Sequence, residues 1–513
     1  MALLAETRPH DLHRLTRGRA WFGILGGGFA PGALVGTQLA GLIFFLNPAL
    51  PFSPAPVLRG IAIYGFLLGL VSLVLHLPFT WGRPRRARRA LPWGLTMALA
   101  ASAALHWTHA SYYAYFLPPG INERLIKTAL WLSLGALIAF YTALLHTLHR
   151  RRYGRRSRSA YMLIAALSVF AVLERREAFR PQPARPPRMS TVEASQRPRL
   201  WVVCLDSATL DAILPLAGQG RLPFFANVLQ GGAYGRLGTI SPTRRDAVLA
   251  TLATGKYPYK HGIMGRRAYP ADFLAPGAEL RLLPAGISFR RWGTLGNEPL
   301  PPDHPRKVLN LWEILPRLGV PAGAVGWPDT EPGSGGELEA TFLLLPELRD
   351  VSRRTFGGFN AVQFEGEQEN PAARAAAERL ARHYVKMDRL LAEIWAREEG
   401  RPRLLAVVSA YGVHPQGGWR RVWGQVTPAA AFGGEFLSAP DGALLLYGEG
   451  IRPGALLTGA RIVDVAPTLL YGLGFPVARD LDGKVLTMAF DKGFLARNPL
   501  TFFPSYEGLA TTP

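Results

Sequence analysis

RLWVVCLDSATLDAIL, residues 199–214, is the stretch that decides the fold. Its first half is a near-continuous apolar run, which reads as a strand buried on both faces, since a strand with one wet face would alternate. The run ends in Asp206, and a helix is predicted near residues 210–216. The pattern recurs downstream. LNLWEILPRLG (309–319) reads as a helix before the strand AGAVGW (322–327), and a long helix from about Pro371 to Glu399 precedes the strand LLAVVS (404–409). Strands alternating with helices predict an α/β fold: a mainly parallel sheet flanked by helices. Open sheets of this kind present ligands at the carboxyl ends of their strands, which makes Asp206 the first candidate site residue.

Further landmarks follow in order: GRLPFFANVLQGGAYGRLGTISPT (220–243), LATGKYPYKHGIMG (252–265), RKVLNLWEILPRLGVPAGAVGWPDTEP (306–332), DGALLLYGEGIRPG (441–454) and DVAPTLLYGLGFPVARDLDGKVL (464–486). Together they resemble the type I phosphodiesterase/nucleotide pyrophosphatase family of the alkaline phosphatase superfamily, over about residues 198–491. The resemblance implies an alkaline phosphatase-like fold. It also implies two divalent metals, usually zinc, held by Asp and His at strand ends around a Thr or Ser nucleophile.

Position by position, that site is degenerate. Asp206 keeps the first ligand position and is the only ligand to survive. The nucleophile stands nine residues before the Thr of the TG pair, which here is Arg245, followed by Asp246; Thr243, two residues away, is the fallback nucleophile. A second Asp-His pair falls on Ala410 and Tyr411 in the stretch Ser409-Ala410-Tyr411-Gly412. A third pair is expected after a strand that aligns with FNAVQFEG (359–366), and no His follows before His383. A final His is missing from GEFLSAPDG (434–442), and His414 reads as a solvated loop side chain. No cofactor is expected, with zinc the cofactor of the enzyme reading. Removal of the metals predicts that Arg245, or its neighbour Arg244, pairs with Asp206 and that Tyr411 fills the vacated space.

The front of the chain has another character. Apolar runs at residues 21–47, 57–81, 91–117 and 126–148 are each near the length needed to cross a bilayer, and a shorter run at 160–173 reads as a fifth span or an interfacial helix. The expected organisation is a transmembrane region of about five helices (1–177), a Pro/Arg-rich tether (178–197) and an alkaline phosphatase-like domain (198–513). Arg-rich loops (residues 82–90 and 149–159) alternate with nearly uncharged ones (47–56 and 118–124), which places the amino terminus in the cytoplasm. Five spans then put the large domain on the periplasmic or extracellular face of a bacterial-type plasma membrane; without the short fifth span it would be cytoplasmic. The first run reads as a signal anchor.

Of 513 residues, 49% are hydrophobic, and 58 Lys and Arg against 36 Asp and Glu give a net charge of +22. Much of that excess lies in juxtamembrane loops, which disfavours nucleic acid as a partner. The single Cys204 excludes an internal disulfide and reads as a buried small residue. Gly23, Gly27, Gly28, Gly32 and Gly36 put small residues at four-residue spacing along the first span, and Gly65 with Gly69 repeats the spacing in the second, for packing within the bundle or against another membrane subunit. His106 and His109 stand among aromatic residues, either as part of an interfacial belt or as cofactor ligands. Three functions remain open. The favoured one is a pseudoenzyme serving as a structural or accessory subunit of a membrane complex. The others are an active phosphodiesterase or phosphotransferase acting on lipid headgroups or nucleotides, and a non-catalytic binder of an anionic ligand.

Overall fold

A computed structural model of the protein describes residues 9–80, 84–149, 153–173, 197–284, 306–328, 337–416, 433–436 and 438–508, together with Glu298 and Thr330. The expected tether lies, but for its last residue, outside the described residues. The chain forms two compact units, one of Met1–Arg180 and Arg266–Asp303, the other of Pro181–Gly265 and His304–Pro513.

Among the described residues the first unit contains five helices: α1 (Pro9–Leu46), α2 (Pro54–Thr80), α3 (Pro84–Tyr112), α4 (Pro119–Leu148) and α5 (Arg155–Leu173). Three segments, Leu25–Leu46 of α1, Pro54–Phe79 of α2 and Pro119–Leu148, are long and apolar enough to cross a membrane. The third and fifth expected spans fold as α3 and α5, but lie outside that set. Arg residues crowd the start of α3, which also buries Thr96, Ser102, His106 and His109, and α5 has only 19 residues. Polarity in this unit is inverted relative to a water-soluble bundle. Leu75, Trp131, Leu137 and Met162 are 60% or more exposed, while Gln38 and Ser102 are buried, as expected where the surroundings are lipid.

The glycine stripe of α1 faces α2. A Cβ on Gly32 would lie 2.1 Å from the Leu68 carbonyl oxygen, and one on Gly36 2.1 Å from that of Tyr64. Only glycine permits so close a backbone approach. His106 and His109 are buried, and the Nδ1 of each faces a carbonyl one turn back, at 2.9 Å (Ser102) and 2.6 Å (Leu105).

In the second unit β1 (Arg199–Leu205) leads into α6 (Leu210–Gly218), α7 (Pro223–Gly231), β2 (Ala233–Gly238), α8 (Arg245–Thr254) and the short α9 (Pro258–His261). Thr209 caps α6 by accepting from the Asp211 amide. After α9 the chain crosses to the helical unit, where β3 (Tyr269–Pro270) and β4 (Glu279–Leu280) form a hairpin. Asn47, at the end of α1, clamps this excursion. Its Oδ1 accepts from the amides of Arg281 (2.7 Å) and Leu282 (3.0 Å), and its Nδ2 donates to the Leu282 carbonyl (2.9 Å). The Tyr113 hydroxyl donates to Leu283 O at 2.6 Å, and Arg59 reaches Leu274 O.

The chain resumes with α10 (Leu311–Arg317), β5 (Ala322–Val325), β6 (Ala340–Leu345), α11 (Glu347–Phe364), α12 (Pro371–Arg397) and β7 (Arg403–Ser409). It continues through β8 (His414–Pro415), β9 (Gly434–Glu435), β10 (Gly442–Gly448), β11 (Ala455–Leu456) and β12 (Ala460–Arg461). The main sheet has the order β11-β2-β10-β7-β1-β6-β5, with β12 also on β2. β7, β1, β6 and β5 run parallel, and β10 is antiparallel to both β7 and β2. The result is the mainly parallel, helix-flanked sheet expected. One local expectation is corrected. Residues 359–366 do not form a strand: they end α11, and Gly366 (φ +77°) turns the chain out of the helix. Leu348, Ser352, Phe356 and Phe359 recur at helical spacing and are all buried. The strand in that neighbourhood is β6, whose Leu345 pairs with Leu205 of β1.

Candidate functional site

Register alone brings the candidate residues together. β1 and β7 are parallel neighbours, with Cys204 opposite Val408, so Asp206 and the Ser409–Tyr411 turn leave the sheet from the same carboxyl edge. β6, on the other side of β1, delivers Pro346 and the first turn of α11 to that edge. Ser207, directly after Asp206, has φ +71°, a left-handed conformation that costs a non-glycine residue roughly 1 kcal/mol. The Ser409 hydroxyl donates to the Tyr411 carbonyl at 2.9 Å and fixes the turn.

The Asp206 side chain is fully buried, and its Oδ2 accepts from Arg245 Nε at 2.6 Å. Arg245, at the head of α8, is the partner; Arg244 instead donates to the Met264 carbonyl at 2.9 Å. Burial works against the Arg245 charge, but Asp206 more than offsets it, and the guanidinium is held above its ordinary pKa. Tyr411 is 1% exposed and packs edge-on against Phe436 with ring centroids 6.0 Å apart. Burial first, then the charge of Asp206, raises its phenol well above the usual range. The Tyr411 hydroxyl and Asp206 Oδ1 are neighbours, and neither has a hydrogen bond of regular geometry, so each is the other's natural partner. The Cys204 thiol is likewise raised by burial and by Asp206, which leaves it inert.

The other candidates contribute less. Thr243 lies two residues before α8, and its buried Oγ1 makes no hydrogen bond. Asp246 occupies the first turn of α8 and adds to the field on Arg245. His414 is exposed on β8. Sequence reasoning missed Arg349. It stands in the first turn of α11, four residues beyond β6, with its guanidinium carbon 5.0 Å from the Phe436 ring centroid and close enough to act on Tyr411. Arg353, one turn on, lies 5.9 Å from the same ring. The signal that could have found Arg349 was the strand ATFLLL itself, since the residues just beyond such a strand face the carboxyl edge.

These residues do not fit a pair of zinc ions. Among the described residues no three His, Cys, Asp or Glu side chains come together, and the one retained carboxylate is engaged by a guanidinium. Residues 417–432, GGWRRVWGQVTPAAAF, contain none of these four residue types.

The profile of the family described as type I phosphodiesterase / nucleotide pyrophosphatase matches residues 200–414. Among solved structures, two of murine ectonucleotide pyrophosphatase/phosphodiesterase 5 are similar, one of them an inactive variant in complex with AMP. Each is 12% identical with a TM-score of 0.37, and the alignments cover 55% and 54% of this chain and 96% of each of theirs. A comparison with curated proteins gives no match. Family members are typically zinc-dependent. Residues 200–414, which supply the parallel strands and the edge that carries Asp206, match the type I phosphodiesterase/nucleotide pyrophosphatase family.

Proposed function

We propose that this family domain no longer hydrolyses phosphodiesters and serves as a membrane-anchored structural or accessory subunit of a membrane complex. The observation that carries the reading is the Arg245–Asp206 pair. The surviving ligand is closed off by the residue that stands in the nucleophile's place, and an arginine cannot attack phosphorus. Ala410 and Tyr411 supply neither carboxylate nor imidazole at the neighbouring strand end.

The domain lies on the outer, periplasmic or extracellular side. In support, residues 266–284 are held by Asn47, Arg59 and Tyr113, at the end of the helices away from the Arg-rich loops. Partners are the bilayer and further membrane subunits. Because the glycine stripe of α1 is taken up by α2, a subunit contact through α1 uses another of its faces.

The test is metal analysis of the purified full chain together with turnover of a simple aryl phosphodiester. The expected result is less than one zinc per chain and no turnover. Two zinc ions per chain, with turnover abolished by Asp206→Ala, would establish an active enzyme instead.

A further inference from the structure

We infer that the edge vacated by the metals is a metal-free site for a phosphate group, formed by Arg245, Arg349 and Arg353 around Tyr411 and Phe436. The inference rests on the non-hydrolytic reading above. Arg245 uses only Nε on Asp206; among the described residues its two terminal nitrogens make no hydrogen bond, and the side chain remains 28% exposed. Arg349 makes no side-chain hydrogen bond or ion pair there, and its Nε is buried without a partner. Arg353 lies over the face of Phe436, its guanidinium carbon 5.9 Å from the ring centroid. The Tyr411 hydroxyl, on a residue 1% exposed, is turned to Asp206 and lies within the field of both Arg245 and Arg349.

The Arg349 Nε is a buried donor without a partner among the described residues, whereas Arg245 is half-buried and Arg353 exposed, so the three present donors from the interior to the rim of this edge, and a buried donor is costly unless an acceptor reaches it. The acidic groups do not supply the anion. Asp206 is taken by Arg245, Asp246 lies in the first turn of α8, and Asp350 is exposed on α11. The site therefore keeps an excess of positive charge. A tetrahedral dianion suits it, because planar guanidinium groups bind phosphate through paired N–H donors. Phe436 holds Arg349 and Arg353 in place by cation–π contact, which sets their position before any ligand arrives.

The phosphate comes either from a soluble molecule or from a lipid headgroup. The full chain in phosphatidylcholine nanodiscs is titrated with inorganic phosphate by calorimetry, and the titration is repeated in nanodiscs containing phosphatidic acid. Wild type is expected to bind phosphate, with affinity about tenfold or more weaker in Arg349→Gln, partly restored in Arg349→Lys and a few-fold weaker in Arg353→Gln. Weaker apparent binding in phosphatidic acid discs, for wild type but not Arg349→Gln, assigns the site to a headgroup; equal binding in both assigns it to a soluble phosphate. Absence of binding, or binding indifferent to all three substitutions, overturns the inference. Hydrolysis of the aryl diester by the same sample would instead refute the non-hydrolytic reading.

Discussion

Replacing Arg245 with Met keeps most of the side-chain volume and removes the charge, so it isolates the pair with Asp206. The Asp206 carboxyl is wholly buried while its partner is 28% exposed. Stranding one member of a buried pair costs about 3–5 kcal/mol, and water reaching the vacated edge from the Arg245 side places this site at the low end, near 3 kcal/mol. With a urea slope of about 3 kcal/mol per M, the midpoint for the domain falls by roughly 1 M. Trp201, on β1, reports the transition by its fluorescence. Asp206→Asn in the same background removes the stranded charge, so the double variant should recover about 2 kcal/mol, the coupling a double-mutant cycle reads. A midpoint shift in Arg245→Met below about 0.2 M, or single effects that simply add, would refute the account of how this site is closed.

Two further outcomes follow from the geometry. His261 is fully buried, accepts from the Ile263 amide at Nδ1 and so donates from Nε2 to Thr251; burial, then the charge of Arg306, lowers its pKa from 6.5 to about 3. Its contribution is complete above pH 6.5 and is lost as pH falls toward 3, at most about 1.4 kcal/mol per unit, so His261→Gln should flatten the stability profile between pH 6.5 and 4. An equally steep acid limb in that variant would show that other groups set it. In the helical unit, Gly32→Leu drives a side chain into the Leu68 carbonyl and should lower the thermal midpoint in detergent by several degrees, while Gly26→Ala, with nothing within 4 Å of its new Cβ, should leave it unchanged.

Much of the fold was legible because its central strands are buried on both faces and leave unbroken apolar runs: RLWVVCL and RLLAVVS could be read directly. α12 was readable for the opposite reason, its buried residues Ala377, Leu380, Ala381, Tyr384 and Leu391 marking one stripe of a 27-residue helix. α11 was harder. FNAVQF is as acceptable to a strand as to a helix, and only with Leu348, Ser352 and Phe356 does the helical spacing emerge. Reading it as a strand hid the role of β6, and with it Arg349. The site residues at positions 206, 245 and 411 were legible because family order fixed them, whereas Arg349 and Phe436 meet only through tertiary packing.

On the non-hydrolytic reading proposed above, the residues at this edge are coupled by charge. In a two-metal site each acidic ligand is stabilised by the metals it binds. Once the ligands at 410 and 411 are Ala and Tyr, Asp206 would be an unpaired buried carboxylate unless a cation replaced the metals. Arg245 is that cation, and Tyr411 fills volume that would otherwise be a void beside it. Arg245→Thr removes the ion-pair partner of Asp206, and Ala410→Asp adds a second carboxylate against one arginine. Each of these substitutions leaves a buried carboxylate without its full share of positive charge and is destabilising, so the Arg245–Asp206 pair is held in place by the energetics of folding as well as by any function it serves.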